Sequence, residues 1–183
     1  MKKNILSFSA FILIVTILST TGATAKGNRL MAFNKNIKVY GYPFTLIDSV
    51  PPSEVMDIVE AAINSLNSFN IDIVANLYTQ NAVVADDEPP YSWNGPTAGV
   101  QWVNAVEQVC KDNKLTKLRG SIGNISVFQH SADNFYIVVP VIFTGNLPQK
   151  QRFTADGAFT FILRMVSGKW MIKSQVWMPR QGM

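Results

Sequence analysis

Asp86, Asp87 and Glu88 stand in a row immediately before Pro89-Pro90. Carboxylates serve as proton donors and acceptors in enzymes, so this run is the first place to look for acid–base chemistry. Two prolines remove two backbone donors, which makes the segment a loop at a strand end and not the middle of a sheet. Two readings follow: a solvated acid pair that ends a strand, or one carboxylate turned into a site. Adjacent residues in extended chain point to opposite faces, so Asp86 and Asp87 are poor partners for one metal ion. A further acid, Asp156, lies in a later β-rich run. The lone His130 falls at a predicted turn, exposed and with no partners at ligand spacing, so no metal site is expected. The lone Cys110 shares a helical stripe with Trp102, Val103, Val106 and Val109, and reads as a small buried hydrophobe. One Cys excludes an internal disulfide, and one His excludes any mechanism that needs two imidazoles. No residue pattern calls for a cofactor.

Aromatic residues are the second group with chemical meaning. Tyr91, Trp93, Trp102 and Trp177 could ring an apolar pocket whose polar fixtures are Asp86, Asp156, Arg164 or Gln175. The same residues could instead plug a core.

These residues must be positioned by regular elements. Ser53 is a plausible N-cap, and Val55, Ile58, Val59, Ala62, Ile63 and Leu66 follow helical spacing. A second, short helix is predicted over Ile71 to Tyr78, then a turn at Thr79-Gln80-Asn81 and a short strand at Ala82 to Ala85. The acidic loop runs on to Gly95, and Pro96 is placed to open a third helix reaching residue 112. The period then changes to that of strands: Leu118–Phe128, Phe135–Gly145, Arg152–Val166 and Trp170–Met178, with turn residues between them. Helices followed by a strand meander predict an α+β domain in which the helices cover one face of a curved antiparallel sheet.

The ends carry different information. Lys2 and Lys3, an apolar run from Ile5 to Leu18 and the small residues Ala23-Thr24-Ala25 form the pattern of a secretory signal peptide over residues 1–25. The apolar run is shorter than the roughly 20 residues of a membrane span. An exported protein, periplasmic or secreted, cleaved near Ala25 and not anchored in a membrane, is therefore expected. Residues 26–52 read as an N-terminal arm with a possible strand at Ile37–Tyr40, ending in Pro51-Pro52. Residues 53–180 form the domain. The net charge of +4 includes Lys2 and Lys3, so half of it leaves with the leader. The remainder gives no electrostatic reason to bind nucleic acid.

The chain resembles the nuclear-transport-factor-2-like superfamily, in particular its SnoaL-like and ketosteroid-isomerase-like domains. The residues that carry the resemblance are Leu66-Asn67-Ser68-Phe69-Asn70, Ile73 through Val84, Ser92-Trp93-Asn94-Gly95 and the closing Gly168-Lys169-Trp170-Met171-Ile172-Lys173, within about residues 53–178. The resemblance implies a cone in which three N-terminal helices pack on a curved antiparallel sheet. It also places the isomerases' general base on Asp86. The isomerases' oxyanion Tyr falls on Val59, and their second acid falls near Thr160, with Asp156 four residues before it. Two of the three isomerase parts are thus missing or displaced, and an enolate without those donors is poorly stabilised.

In Arg152–Val166, Phe153, Phe159, Phe161, Leu163 and Met165 alternate with Thr154, Asp156, Ala158, Thr160, Ile162 and Arg164. If the mixed face lines the cone, the aromatic face points away and needs a cover, so a homodimer through the sheet is expected, as the resemblance also implies. A one-residue slip would invert this assignment. The leading expectation is an exported domain that binds a small apolar molecule, with Tyr91, Trp93, Trp102, Thr160, Gln175 and Trp177 around it. The alternatives are an acid–base enzyme of isomerase or cyclase type using Asp86, with Asp156, and a protein-interaction module acting as a dimer.

Overall fold

A computed structural model describes residues 50–180. The expected leader at 1–25, most of the expected arm and its expected strand at Ile37–Tyr40 lie outside the described residues. Helix α1 spans Ser53–Asn64 and buries Val55, Val59, Ala62 and Ile63 along one stripe. Pro52, not Ser53, occupies the cap position, and its carbonyl accepts from the Val55 and Met56 amides at 3.0 and 3.1 Å. A 3-10 turn over Ser65–Asn67 ends this arm of the fold, and Phe69 takes a left-handed φ of 53°.

The second predicted helix is not one. Ile71–Ile73 make a single 3-10 turn, started by the Asn70 side chain accepting from the Asp72 amide at 3.0 Å. Ile71 and Ile73 stay 38% exposed and only Val74 is fully buried before β1, too narrow an apolar face to reward continuing the helix. From Tyr78 the chain is extended: strand β1 runs Tyr78–Ala85 and absorbs the expected turn at Thr79–Asn81. The described residues therefore contain two α-helices, not three.

Strand β2, Ser92–Asn94, pairs antiparallel with β1 and sets Trp93 opposite Val84. Helix α2, Ala98–Asp112, begins two residues after Pro96, with Thr97 at the cap position. Strands β3 (Thr116–Ile122), β4 (Val127–Ser131), β5 (Asn134–Asn146), β6 (Arg152–Val166) and β7 (Lys169–Pro179) follow. The predicted run Leu118–Phe128 is split: Gly123 and Ser126 bond to Pro140 and Val138 of β5 as the chain passes from β3 to β4. The sheet order is β2-β1-β7-β6-β5-β3, with β4 also on β5. It is a mixed sheet, because β1 runs parallel to β7, pairing Val84 with Gln175 and Ala85 with Val176. The expectation of a purely antiparallel sheet came from the meander alone, and local turn chemistry carries no information about where β1 joins.

Packing decides the faces of β6. Phe159, Phe161 and Leu163 are buried beside Val139, Ile137 and Phe135 of β5, under the helices. The aromatic face lines the inside, and the mixed face with Asp156, Thr160, Ile162 and Arg164 lies outside. This inverts the conditional assignment made from the alternation. Burying phenyl rings yields more than burying Thr, Asp and Arg, so the sheet turns its aromatic face to the helices. Among the described residues, no helix is long and apolar enough to cross a membrane.

Candidate functional site

A cavity of about 450 Å³ opens between α2, the loop after β1 and the inner face of β5–β7. Its placement follows from chain order. β1 ends at Ala85, so Asp86 is the first residue past the strand. The Asp86 amide donates to the Tyr91 carbonyl at 3.0 Å, which closes the acidic loop back on itself. With the backbone so held, the Asp86 carboxylate faces α2. Its Oδ1 accepts from the Asp87 amide at 2.8 Å, and its Oδ2 accepts from Trp102 Nε1 at 2.6 Å.

Trp102 is 1% exposed, and its ring meets Phe159 edge-on at 5.7 Å. Trp177 of β7 packs on Phe159 at 4.8 Å and Phe143 at 5.4 Å. These rings, with Trp93 of β2, line the cavity. Gly157 of β6 makes room for them, since a Cβ there would lie 2.7 Å from the Trp177 ring. The remaining wall is mostly aliphatic, and Asp86, Asp87 and Glu88 supply its charged groups.

The electrostatics of Asp86 follow from this setting. Burial disfavours its ionised form, and the neighbouring Asp87 adds to the effect, while the Trp102 hydrogen bond opposes it. The net result lifts the carboxyl from 3.8 to about 6. Cys110 also lines the cavity, but burial, with help from the Glu107 charge, pushes its thiol up, away from a reactive thiolate.

The cavity collects some of the residues singled out from sequence and not others. Asp86, Trp93, Trp102 and Trp177 line it. Asp156 points to the outer face, where it pairs with Arg180 at 2.7 Å. Thr160 shares that outer face, and its Oγ1 is buried without a partner. Both follow from the inverted face of β6. Tyr91 is 59% exposed and lends the site only its backbone carbonyl. Gln175 is fully buried in the core, where its Oε1 accepts from the Tyr78 hydroxyl at 2.6 Å, away from the cavity wall. Arg164 is exposed on the outer face. His130 lies in β4 and not in a turn, stacked on Phe135 at 4.2 Å. Among the described residues, no three His, Cys, Asp or Glu side chains gather as a metal ligand set.

Sequence reasoning missed the apolar wall, which includes Ala105, Val106, Val109, Leu115 and Phe153. Part of it was visible, because Val106 and Val109 continue the Trp102 stripe by one and two turns. Leu115 and Phe153 follow only from where α2 and β6 come to lie.

No family model matches the chain, and no curated protein does. Solved structures do. A hexachlorocyclohexane dehydrochlorinase, LinA-type3 from Novosphingobium barchaimii LL02, superposes with a TM-score of 0.59 at 16% identity, covering 72% of this chain and 90% of that one. A ketosteroid isomerase-like protein from Erwinia carotovora atroseptica SCRI1043 gives a TM-score of 0.54 at 17% identity, covering 70% and 95%. A protein of unknown function with a cystatin-like fold from Nostoc punctiforme PCC 73102 gives 0.53 at 13%, covering 69% and 89%. At such identities the likeness is one of fold. The chain has the α+β nuclear-transport-factor-2-like fold expected from its sequence.

Proposed function

We propose that this domain binds a small apolar molecule in the cavity beneath α2, with Asp86 as its polar anchor. One observation carries the reading: a half-buried carboxylate, held by Trp102 Nε1 at 2.6 Å, on the wall of an otherwise mostly apolar hollow of about 450 Å³. Apolar walls with a few fixed polar groups are the usual make-up of a small-molecule site. The dehydrochlorinase among the similar structures is named for hexachlorocyclohexane, itself a small apolar compound, and this hollow suits that class. Native mass spectrometry of the protein purified from its own host tests the reading. A retained small molecule is expected, with retention reduced in Asp86→Asn; an empty protein that also takes up no apolar probe would end it.

A second reading makes Asp86 a general base. Its carboxyl at about 6 suits that role, since it is ionised near neutrality yet more basic than an ordinary Asp. Against it, Val59 is buried in the core and Thr160 lies on the outer face, so neither supplies an oxyanion donor at the cavity. Asp86→Asn separates the two readings: a binder retains part of its affinity, whereas an enzyme loses turnover by orders of magnitude.

The same proposal sees the protein as exported and homodimeric. Residues 1–25 support export, with cleavage after Ala25. The dimer is placed on the outer sheet face, where Tyr136, Ile142 and Ile162 are exposed.

A further inference from the structure

We propose that the cavity prefers a cationic ligand, an apolar amine, over neutral or anionic molecules of the same shape. This rests on the reading that the cavity binds a small molecule at all, and adds the charge of that molecule. The charged side chains on the cavity wall are of one sign: Asp86, Asp87 and Glu88, all on one loop. Among the described residues, no Lys, Arg or His lines it. Two cations on neighbouring segments are engaged elsewhere, Lys111 with Glu107 at 2.8 Å and Arg180 with Asp156 at 2.7 Å.

The wall is also chemically suited to a cation away from the carboxylates. Trp93 and Trp177 line the hollow and keep 8% and 9% of their surface exposed, and aromatic ring faces attract cations. The Trp102 N–H is committed to Asp86 Oδ2 and is not a free donor for an anion. Each Asp86 oxygen accepts one hydrogen bond within the protein, from the Asp87 amide and from Trp102, which leaves each an open lone pair. An ammonium group can donate to one of these while the apolar body of the ligand lies along the rings. A carboxylate in the same position would meet three like charges and no compensating cation.

The test uses three probes of one shape: 2-naphthylmethylamine, 2-naphthalenemethanol and 2-naphthoate. Each is titrated by calorimetry at pH 7.5 into the protein as its host produces it. The amine is expected to bind about tenfold more tightly than the alcohol, with the naphthoate weakest. The triple variant Asp86→Asn, Asp87→Asn, Glu88→Gln should weaken the amine far more than the alcohol and so remove the amine's tenfold advantage. Naphthoate binding as tightly as the amine, or an amine advantage that survives loss of the three charges, would overturn the proposal. Equal binding of all three probes overturns the charge preference alone and leaves the cavity as a binding site. Failure of all three to bind overturns this proposal together with the reading beneath it. The comparison of probes on the unaltered protein decides the question even if the triple variant does not fold.

Discussion

Asp86 is held in a setting that disfavours its own charge, and this has a measurable cost. Its carboxyl stands at about 6 in the folded protein against an ordinary 3.8, so the native state binds its proton more tightly than the unfolded chain does. Stability should therefore fall as pH rises from about 3.8 through about 6, and stay reduced above that window. Asp86→Asn keeps an acceptor for Trp102 and removes the charge. It is expected to stabilise the protein by about 1–2 kcal/mol at pH 7.5, after allowance for partial solvent access, with no gain near pH 3.5. Urea denaturation of both proteins at the two pH values checks the sign. Trp102→Phe acts in the other direction. Because the Trp102 hydrogen bond lowers this carboxyl, as the Asp87 amide also does, its loss should move the Asp86 titration above about 6, read from the carboxyl carbon shift by NMR. A site that destabilises its own fold when ionised is more readily explained by function than by packing. Asp86 stood out as a candidate because the resemblance places a general base there, while the Pro89-Pro90 pair marks only the strand end. Its hydrogen-bond partner was not legible, since Asp86 and Trp102 belong to different elements.

At the scale of elements, α2 and β1 meet through one tight contact. Gly99, on the buried side of α2, lies against the Tyr78 ring so closely that a Cβ would overlap it. Tyr78 cannot move freely, because its hydroxyl donates to Gln175 Oε1 inside the core. Alanine is favoured over glycine in helices, by up to about 1 kcal/mol in the interior and less in the first turn where Gly99 lies, so local propensity alone would predict a small stabilising change. Overpacking a core costs about 1–3 kcal/mol, and more where the neighbour is pinned. Gly99→Ala should therefore destabilise by about 1–3 kcal/mol net, and chemical denaturation gives the value. The same junction explains why the second helix failed to appear. Ile71, Val74 and Leu77 have helical spacing, yet the Tyr78 ring has to reach the space under Gly99, and an extended β1 delivers it there beside β7. Helices α1 and α2 were legible because a long amphipathic stripe states both the element and its buried side. A segment of eight residues whose helical spacing rests on Ile71, Val74 and Leu77 or Tyr78 suits either a helix or a strand lead-in, and only its neighbours decide.

At the scale of the whole molecule, the outer face of the sheet has no helix packed on it among the described residues. Ile142 is 45% exposed, with Tyr136 at 37% and Ile162 at 36%, on the side away from the helices. An apolar sheet face of this kind is commonly covered by a second copy. Light scattering after size exclusion should give a dimer, and Ile142→Lys with Ile162→Lys together should give a folded monomer at micromolar concentration. A monomeric parent protein would remove the homodimer from the proposal. The proposed export makes a separate prediction: the protein recovered from its host should begin at Lys26, as intact-mass measurement would show.

The amino-acid sequence by itself determined the α+β class, the order of the long strands, the two amphipathic helices and the acidic loop at the end of β1. All of these are local, because alternation, helical spacing and proline act within a few residues. Only the tertiary structure decided that β1 runs parallel to β7, that the aromatic face of β6 turns inward, and that Asp86, Trp102 and Trp177 share one hollow while Asp156 and Thr160 lie outside it. A strand's alternation names two faces but not which of them is covered. That choice belongs to the free energy of burying rings against helices that come from elsewhere in the chain.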